Sequence, residues 1–282
     1  MSEQTIHWFP GHMAKARRQM EEQLKLVDIV VELRDARIPQ ASFNPLLDEL
    51  SVHKEKLIVL NKADLADPKE NELWKREFEK EGHCLLIDSL HDDLSKKLVE
   101  KIREICAEKI ERAKKRGIRH KAIRAMVVGI PNVGKSTLIN STVKKKIAKT
   151  ENRPGVTRSL QWIRLNDDVE LLDTPGVLPA KLEDQEAAVK LAVLGSINDD
   201  ILDKEMLVRY GLRYLKENYP GVINKRYDVE EEEPLIENIA KKKLWLSNDG
   251  EVNASKTCDM ILKDIRDNRF GRITYERCHA GE

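Results

Sequence analysis

Long apolar runs are missing from this sequence. None approaches the roughly 20 residues that a membrane-spanning helix needs, so no membrane partner is expected. A charge surplus is missing too: 50 Lys and Arg stand against 49 Asp and Glu, a formal net charge of +1. That excludes a uniformly basic coat for nucleic acid and leaves room only for local basic patches. Cysteine is sparse. Cys84, Cys106, Cys258 and Cys278 stand far apart with no CxxC pair, which argues for reduced thiols and against a disulfide or zinc framework. The opening residues lack a secretory apolar core, and Glu3, Glu21 and Glu22 argue against a transit peptide, so the expected location is cytoplasmic. No internal repeat or heptad run is present, and a monomer is the expectation. What the chain does have is apolar material for a real core, 40% of 282 residues, beside an unusually high charged share of 35%.

The two halves of the chain are patterned differently. Up to about residue 177, apolar runs alternate with helical stretches. The runs are Leu26–Leu33, Lys56–Leu60, Cys84–Ile87, Ala125–Val128, Leu160–Leu165 and Val169–Leu172. Several are continuous in Val, Ile and Leu, as strands buried on both faces should be. Helical spacing over about 43–51, 68–82, 92–115 and 135–145 separates most of them, which is the βαβ pattern of a mainly parallel sheet. Only Asn166–Asp168 divides the last two runs, so these form a hairpin with one antiparallel strand. Beyond Pro179 the spacing is helical, near 183–197, 203–218, 234–246 and 255–268. The expected organisation is an α/β domain over 1–178 and a small all-α domain over 179–282. Between 109 and 124, Lys109, Arg112, Lys114, Lys115, Arg116, Arg119, Lys121 and Arg124 face only Glu111. This is either a contact for a phosphate backbone or a solvated helix end.

Four motifs carry chemistry. Gly129-Ile130-Pro131-Asn132-Val133-Gly134-Lys135-Ser136 fits GxxxxGK[ST], led by an apolar strand and followed by helical Ser136-Thr137-Leu138. Glycines let backbone N–H groups turn toward phosphate oxygens, and the helix N-terminus adds a favourable dipole. Lys135 supplies a charge to the β and γ phosphates, and Ser136 a hydroxyl to Mg²⁺. Asn132, Val133, Gly134 and Thr137 complete the phosphate-binding candidates. Asp173-Thr174-Pro175-Gly176 closes the strand Val169–Leu172. Asp173 can hold Mg²⁺ through water, and the Gly176 N–H can meet a γ-phosphate. Asn61-Lys62-Ala63-Asp64 follows the strand Lys56–Leu60. An Asp64 carboxylate can accept both N1–H and the 2-amino group of guanine, donors that adenine does not offer there. Asn61 and Lys62 would brace the base and its loops. In Arg153-Pro154-Gly155-Val156-Thr157, Thr157 can close over γ-phosphate and Mg²⁺ as a switch. NKxD alone arises by chance in about one chain in ten; the combination is what selects a guanine nucleotide.

The order of these motifs is unusual. In ordinary GTPases the phosphate loop comes first and NKxD last, whereas here Asn61–Asp64 precedes Gly134–Ser136. The first three strands are then the usual last three moved to the front, a rearrangement compact domains tolerate because their termini lie close together. With Trp8-Phe9-Pro10-Gly11-His12-Met13-Ala14 and Asp35-Ala36-Arg37-Ile38-Pro39, the whole chain resembles the circularly permuted GTPases, and among them the bacterial factors that assemble the large ribosomal subunit. The resemblance implies a circularly permuted P-loop GTPase fold, α/β with a six-stranded mainly parallel sheet, and a small all-α C-terminal domain that meets ribosomal RNA. It implies a slow GTP hydrolysis stimulated by the pre-ribosomal particle, with Lys135 and Thr157 acting on the phosphates.

Departures from the ordinary pattern qualify the site. Val177 stands where ordinary GTPases often have a water-orienting Gln. The family's candidate for that task is His12; the alternative is a surface or capping histidine. Ser89, in Asp88-Ser89-Leu90, stands where the usual loop reads Ser-Ala-Lys, and its backbone N–H is the candidate for guanine O6. Asn132 matches a K⁺-ligating position in potassium-stimulated GTPases; the alternative is a loop-bracing amide. In the C-terminal half, Lys241–Lys243, Trp245, Arg266, Arg269, Phe270 and Arg272 are either RNA contacts or helix faces with core anchors. A regulatory GTPase acting on a protein without touching RNA is the alternative function. A small-molecule kinase would leave Asn61–Asp64 without a task.

Overall fold

The computed structural model describes residues 17–18, 20–88, 94–118, 122–144, 161–174, 184–197 and 203–279. Six strands form one sheet: β1 (Ile29–Asp35), β2 (Glu55–Asn61), β3 (His83–Leu86), β4 (Ile123–Val128), β5 (Gln161–Arg164) and β6 (Val169–Asp173). Their order is β3-β2-β1-β4-β6-β5, with β5 antiparallel to β6 and every other pair parallel. The expected α/β class and the expected hairpin are both present.

The continuous apolar runs have the predicted cause. All seven residues of β1 are buried. Ile29, Val31 and Leu33 face one core with Ala125 and Val127 of β4, while Val30, Met126 and Val128 face the other. The strand boundary at the start differs from the expected Leu26. Leu26 is half exposed and closes a helical stretch, its N–H donating to Gln23 O, and β1 begins three residues later.

Helices join these strands. In the first half they are α1 (Pro45–Leu50), α2 (Pro68–Glu79), α3 (Leu94–Ile105), α4 (Ala107–Lys115) and α5 (Lys135–Lys144). Asn44 and Asp67 cap α1 and α2 through side-chain oxygens, each with proline in the first turn where its missing N–H costs nothing. One helix was expected over 92–115. The chain instead turns at Cys106, which stays in the core while α4 runs along the rim with no buried residue.

The second half holds α6 (Gln185–Val193), α7 (Lys204–Asn218), α8 (Val222–Tyr227), α9 (Leu235–Lys242) and α10 (Ala254–Arg266). The sequence pattern did not predict α8. It is six residues long and lies between Gly221 and Asp228, both left-handed, too short for an apolar period to register. Tyr227 is fully buried; it meets Trp245 and Phe270 edge-on and donates its hydroxyl to Asp264. Of the two readings open for Trp245 and Phe270, core anchor is therefore the one the packing supports.

None of the four cysteines forms a disulfide; Cys84, Cys106 and Cys258 are buried and Cys278 half-buried. Burial pushes the Cys84 thiol up to about 12, so it stays protonated and unreactive. Among the described residues, no helix is long and apolar enough to cross a membrane.

The topology fixes where a site can form. Parallel strands deliver the residues after β1, β2, β3, β4 and β6 to one edge of the sheet. The strand order reverses direction between β1 and β4, and the crevice at such a reversal is where α/β sheets bind ligands.

Candidate functional site

The loop from Gly129 to Gly134 leaves β4 and enters α5 at that crevice. Its glycines are required by contact as well as conformation. A Cβ on Gly129 would lie 2.6 Å from Leu33 O of β1, and one on Gly134 would lie 2.2 Å from Asn61 Nδ2. Both have positive φ, +152° and +100°. Lys135 is buried, and its ammonium folds back onto the loop, donating to Gly129 O and Ile130 O at 2.8 Å each. Burial lowers its pKa to about 8, with Asp173 pulling the other way. An anion arriving in the loop would replace those carbonyls as its partner. Ser136 is exposed on the first turn of α5, and Thr137 is half-buried beside it. Asp173 closes β6 in register with Val127, and the next residue, Thr174, donates its hydroxyl to Val127 O at 2.6 Å. A hydroxyl and a carboxylate thus reach the same edge from neighbouring strands. Hard oxygen donors of this kind suit Mg²⁺ completed by phosphate and water. Among the described residues no group of three or more His, Cys, Asp or Glu could hold a metal alone.

The segment Asn61–Asp64 meets this loop directly. Asn61 Nδ2 donates to Val133 O at 2.7 Å, and Lys62 Nζ donates to Asn132 O at 2.8 Å. Lys62 takes φ +60°. Its ammonium also donates to Asp35 Oδ2 at 2.8 Å. Asp35, at the end of β1, has no solvent exposure. Its carboxylate also accepts from Arg37 N, Nε and Nη2 at 2.8–3.0 Å. Burial alone would raise its pKa, but Arg37 and Lys62 outweigh that and hold it well below the usual carboxylate range. Asp35 and Arg37 were known from the sequence only through a resemblance. The signal that could have found them is an acid at the end of a buried strand with an arginine two residues on, the same placement as Asp173.

The second half of the chain joins in through Asn132. Its Nδ2 donates to Gly195 O at 2.8 Å, just past α6, so its amide braces two parts of the chain. Arg266, at the end of α10, caps the last turn of α6 by donating to Ala192 O and Val193 O at 2.9 and 3.1 Å. Arg37 Nη1 donates to Arg266 O at 3.4 Å. Arg266 is thus engaged within the protein, and no sequence signal distinguished it from an exposed helix arginine. The basic stretch 109–124 is also less free than its composition implied. Lys109 pairs with Asp28, Arg112 with Glu108, Lys114 with Glu111, and Arg124 with Glu170 while lying over Trp162. Four expected site residues, His12, Ser89, Thr157 and Gly176, lie outside the described residues, as do Val177, Arg119 and Lys121.

Comparison with known proteins places this geometry. A family model described as a 50S ribosome-binding GTPase matches residues 124–246. That span holds the loop at Gly129–Ser136 and Asp173 but not Asn61–Asp64, which here comes earlier in the chain. Ribosome biogenesis GTPase A of Bacillus pumilus is 48% identical over 278 residues, 97% of this chain and 99% of that one. Mitochondrial ribosome-associated GTPase 1 of Mus musculus is 40% identical over 297 residues, 96% and 90% of the two chains. A crystal structure of GNP-bound YlqF from T. maritima superposes with a TM-score of 0.65 at 25% identity, covering 94% of this chain and 99% of that one.

Two measurements test the site. Bound phosphate stabilises the charged form of Lys135 and so raises its pKa above about 8. Nucleoside diphosphate affinity should therefore be level below that pH and fall above it by up to about tenfold per unit, with proton uptake on binding. Calorimetry between pH 7 and 9 in buffers of different ionisation enthalpy reads both; a flat profile contradicts the assignment. Gly134→Ala would drive a methyl into Asn61 and strain the loop. It should weaken nucleotide binding by at least about tenfold, with the far-ultraviolet circular dichroism unchanged.

Proposed function

The chain belongs to the ribosome biogenesis GTPase A family, and from that premise we propose that it is a nucleotide-dependent assembly factor for the large ribosomal subunit. It is a GTPase of ribosome biogenesis, binding GTP and GDP on an α/β GTPase fold. The finer reading gives it a circularly permuted GTPase domain over 1–178, an all-α RNA-binding domain over 179–282, and a hydrolysis rate raised by the pre-ribosomal particle. The observation that carries it is the pair of hydrogen bonds from Asn61 and Lys62 to the carbonyls of Val133 and Asn132. They tie the candidate guanine loop to the candidate phosphate loop, as one ligand gripped at both ends requires.

In this reading Asp64 accepts from the base, Asn61 and Lys62 hold its loop, and Ser89 offers a backbone N–H to guanine O6. Val133, Gly134 and Thr137 surround the phosphates, and Lys135 exchanges Gly129 O and Ile130 O for phosphate oxygens. Mg²⁺ would be held by Ser136 and Thr157, and by Asp173 through water; when bound it neutralises charge on the β and γ phosphates. Thr157 and the Gly176 N–H would respond to the γ-phosphate, and His12 would orient the attacking water. Asn132 is the candidate K⁺ ligand through its amide oxygen, the nitrogen being engaged with Gly195 O. GTP favours the particle-bound arrangement and GDP favours release. Pairing of the basic stretch with carboxylates favours the second reading, a GTPase acting on a protein partner, at that surface alone.

GTP turnover measured with and without purified large subunits separates the two. Stimulation, together with salt-sensitive co-sedimentation, is expected. Absence of both in every nucleotide state would leave the protein-partner reading. In the same preparation Asp64→Asn should cost GTP roughly 2 kcal/mol of binding relative to the parent while ATP affinity stays low; equal affinities for GTP and ATP in the parent would remove the guanine assignment.

A further inference from the structure

Residues 272–278 follow α10 without forming helix or strand, yet Ile273, Thr274, Tyr275 and Glu276 are buried. Buried irregular backbone must find partners for its polar groups, and this segment finds them around the guanine loop and α2. Ile273 N donates to Leu65 O at 3.1 Å, and Tyr275 N to Arg37 O at 2.7 Å. Asp67 N donates to Thr274 Oγ1 at 3.0 Å, and Trp74 Nε1 to Glu276 O at 3.2 Å. On the opposite side Tyr214 and Tyr219 of the α7 region donate their hydroxyls to Thr274 O at 3.0 and 3.2 Å. The segment is thus sandwiched between the loop after β2 and the helical half.

Arg272 stands at the front of the segment. Its Nη2 donates to Ala63 O and its Nε to Ala66 O, both at 2.9 Å. Ala63 O also accepts from Asn71 Nδ2 at 2.9 Å, and Ala63 N donates to Ile87 O at 3.1 Å. One planar fork therefore holds the Ala63–Asp64 and Ala66–Asp67 peptide groups, which bracket Asp64 and Leu65. Arg272 shares a surface recess with Asp64 and Asp88.

We propose that Arg272 is a positioning residue for guanine recognition: it locks the backbone around Asp64 so that the carboxylate meets the base edge already ordered. The proposal deepens the guanine-binding reading and rests on it. A fork spanning Ala63 O and Ala66 O removes backbone freedom that the loop would otherwise lose on binding, which is an affinity gain specific to the base contact. The phosphate contacts, made by a different loop, do not share in it. It also makes the C-terminal segment a structural part of the base pocket, so a displacement of the helical half that lifts residues 272–278 loosens the base contact.

The test compares GDP with inosine diphosphate, which keeps the phosphates and N1–H but lacks the 2-amino group. The full-length protein should prefer GDP by about 10- to 100-fold. Arg272→Ala should narrow that ratio by about tenfold, because GDP loses an ordered partner for two donors whereas inosine diphosphate, with N1–H alone, is weakened less. Arg272 is exposed, so the substitution leaves the core in place. Arg272→Lys keeps the charge but cannot span both carbonyls, and its ratio should fall between the two. Equal weakening of both nucleotides, an unchanged ratio in Arg272→Ala, or a Lys variant matching the parent would overturn the positioning role. No preference for GDP in the parent would instead overturn the guanine reading beneath it, a distinct result.

Discussion

Asp35 carries a negative charge at the end of a central strand with no exposure to water. Such a charge is tolerated only when its partners are charged, close and held in place. The guanidinium of Arg37 and the ammonium of Lys62 meet that condition from two different loops. The consequence reaches beyond the ion pair. Lys62 is oriented by Asp35, and so oriented it reaches Asn132 O of the phosphate loop. Arg37 is oriented by Asp35, and so oriented it reaches Arg266 O of α10. Arg266 in turn caps α6, whose following residue Gly195 accepts from Asn132. The circuit closes on itself. Both candidate nucleotide loops and the helical half are linked around one carboxylate.

That closure bears on how a permuted chain still forms a two-ended pocket. Parallel strands place their following loops at one edge whatever order the chain visits them in. Covalent order decides only which loops connect to other parts of the protein. Here the candidate guanine loop comes early and the candidate phosphate loop in the middle, and side-chain hydrogen bonds such as Asn61 to Val133 O substitute for chain proximity. The helical half reaches the site at two places, through Gly195 at the phosphate loop and through residues 272–278 at the guanine loop. A motion of that half would be felt at both ends of a bound nucleotide, and by different bonds.

Lys135 shows how burial prepares the candidate phosphate loop for an anion. Its ammonium is buried against two backbone carbonyls and its pKa has dropped to about 8. Carbonyls solvate a buried cation only partly, so an ammonium placed here favours an anionic partner. The same burial that penalises the cation strengthens its attraction to phosphate, because little water competes.

Much of this was legible in the sequence because it depends on local chemistry. Continuous apolar runs dictated doubly covered parallel strands, and the Asn166–Asp168 break dictated the hairpin. Gly129, Gly134, Lys135 and Ser136 marked a candidate phosphate loop because backbone geometry and charge at that spacing suit a phosphate. Helical spacing placed helices near 43–51 and 68–82, but the caps Asn44 and Asp67 came from the structure, and α8 escaped because six residues between two left-handed turns carry no readable period. What the tertiary structure alone decided were the partners: Asp35 with Lys62, Asn132 with Gly195, Arg266 with α6, and Arg272 with Ala63 and Ala66. Each joins residues far apart in the chain, and an arginine bound to a carbonyl has the same sequence pattern as one facing water. Only packing, which determines where buried carbonyls and carboxylates need donors, distinguishes them.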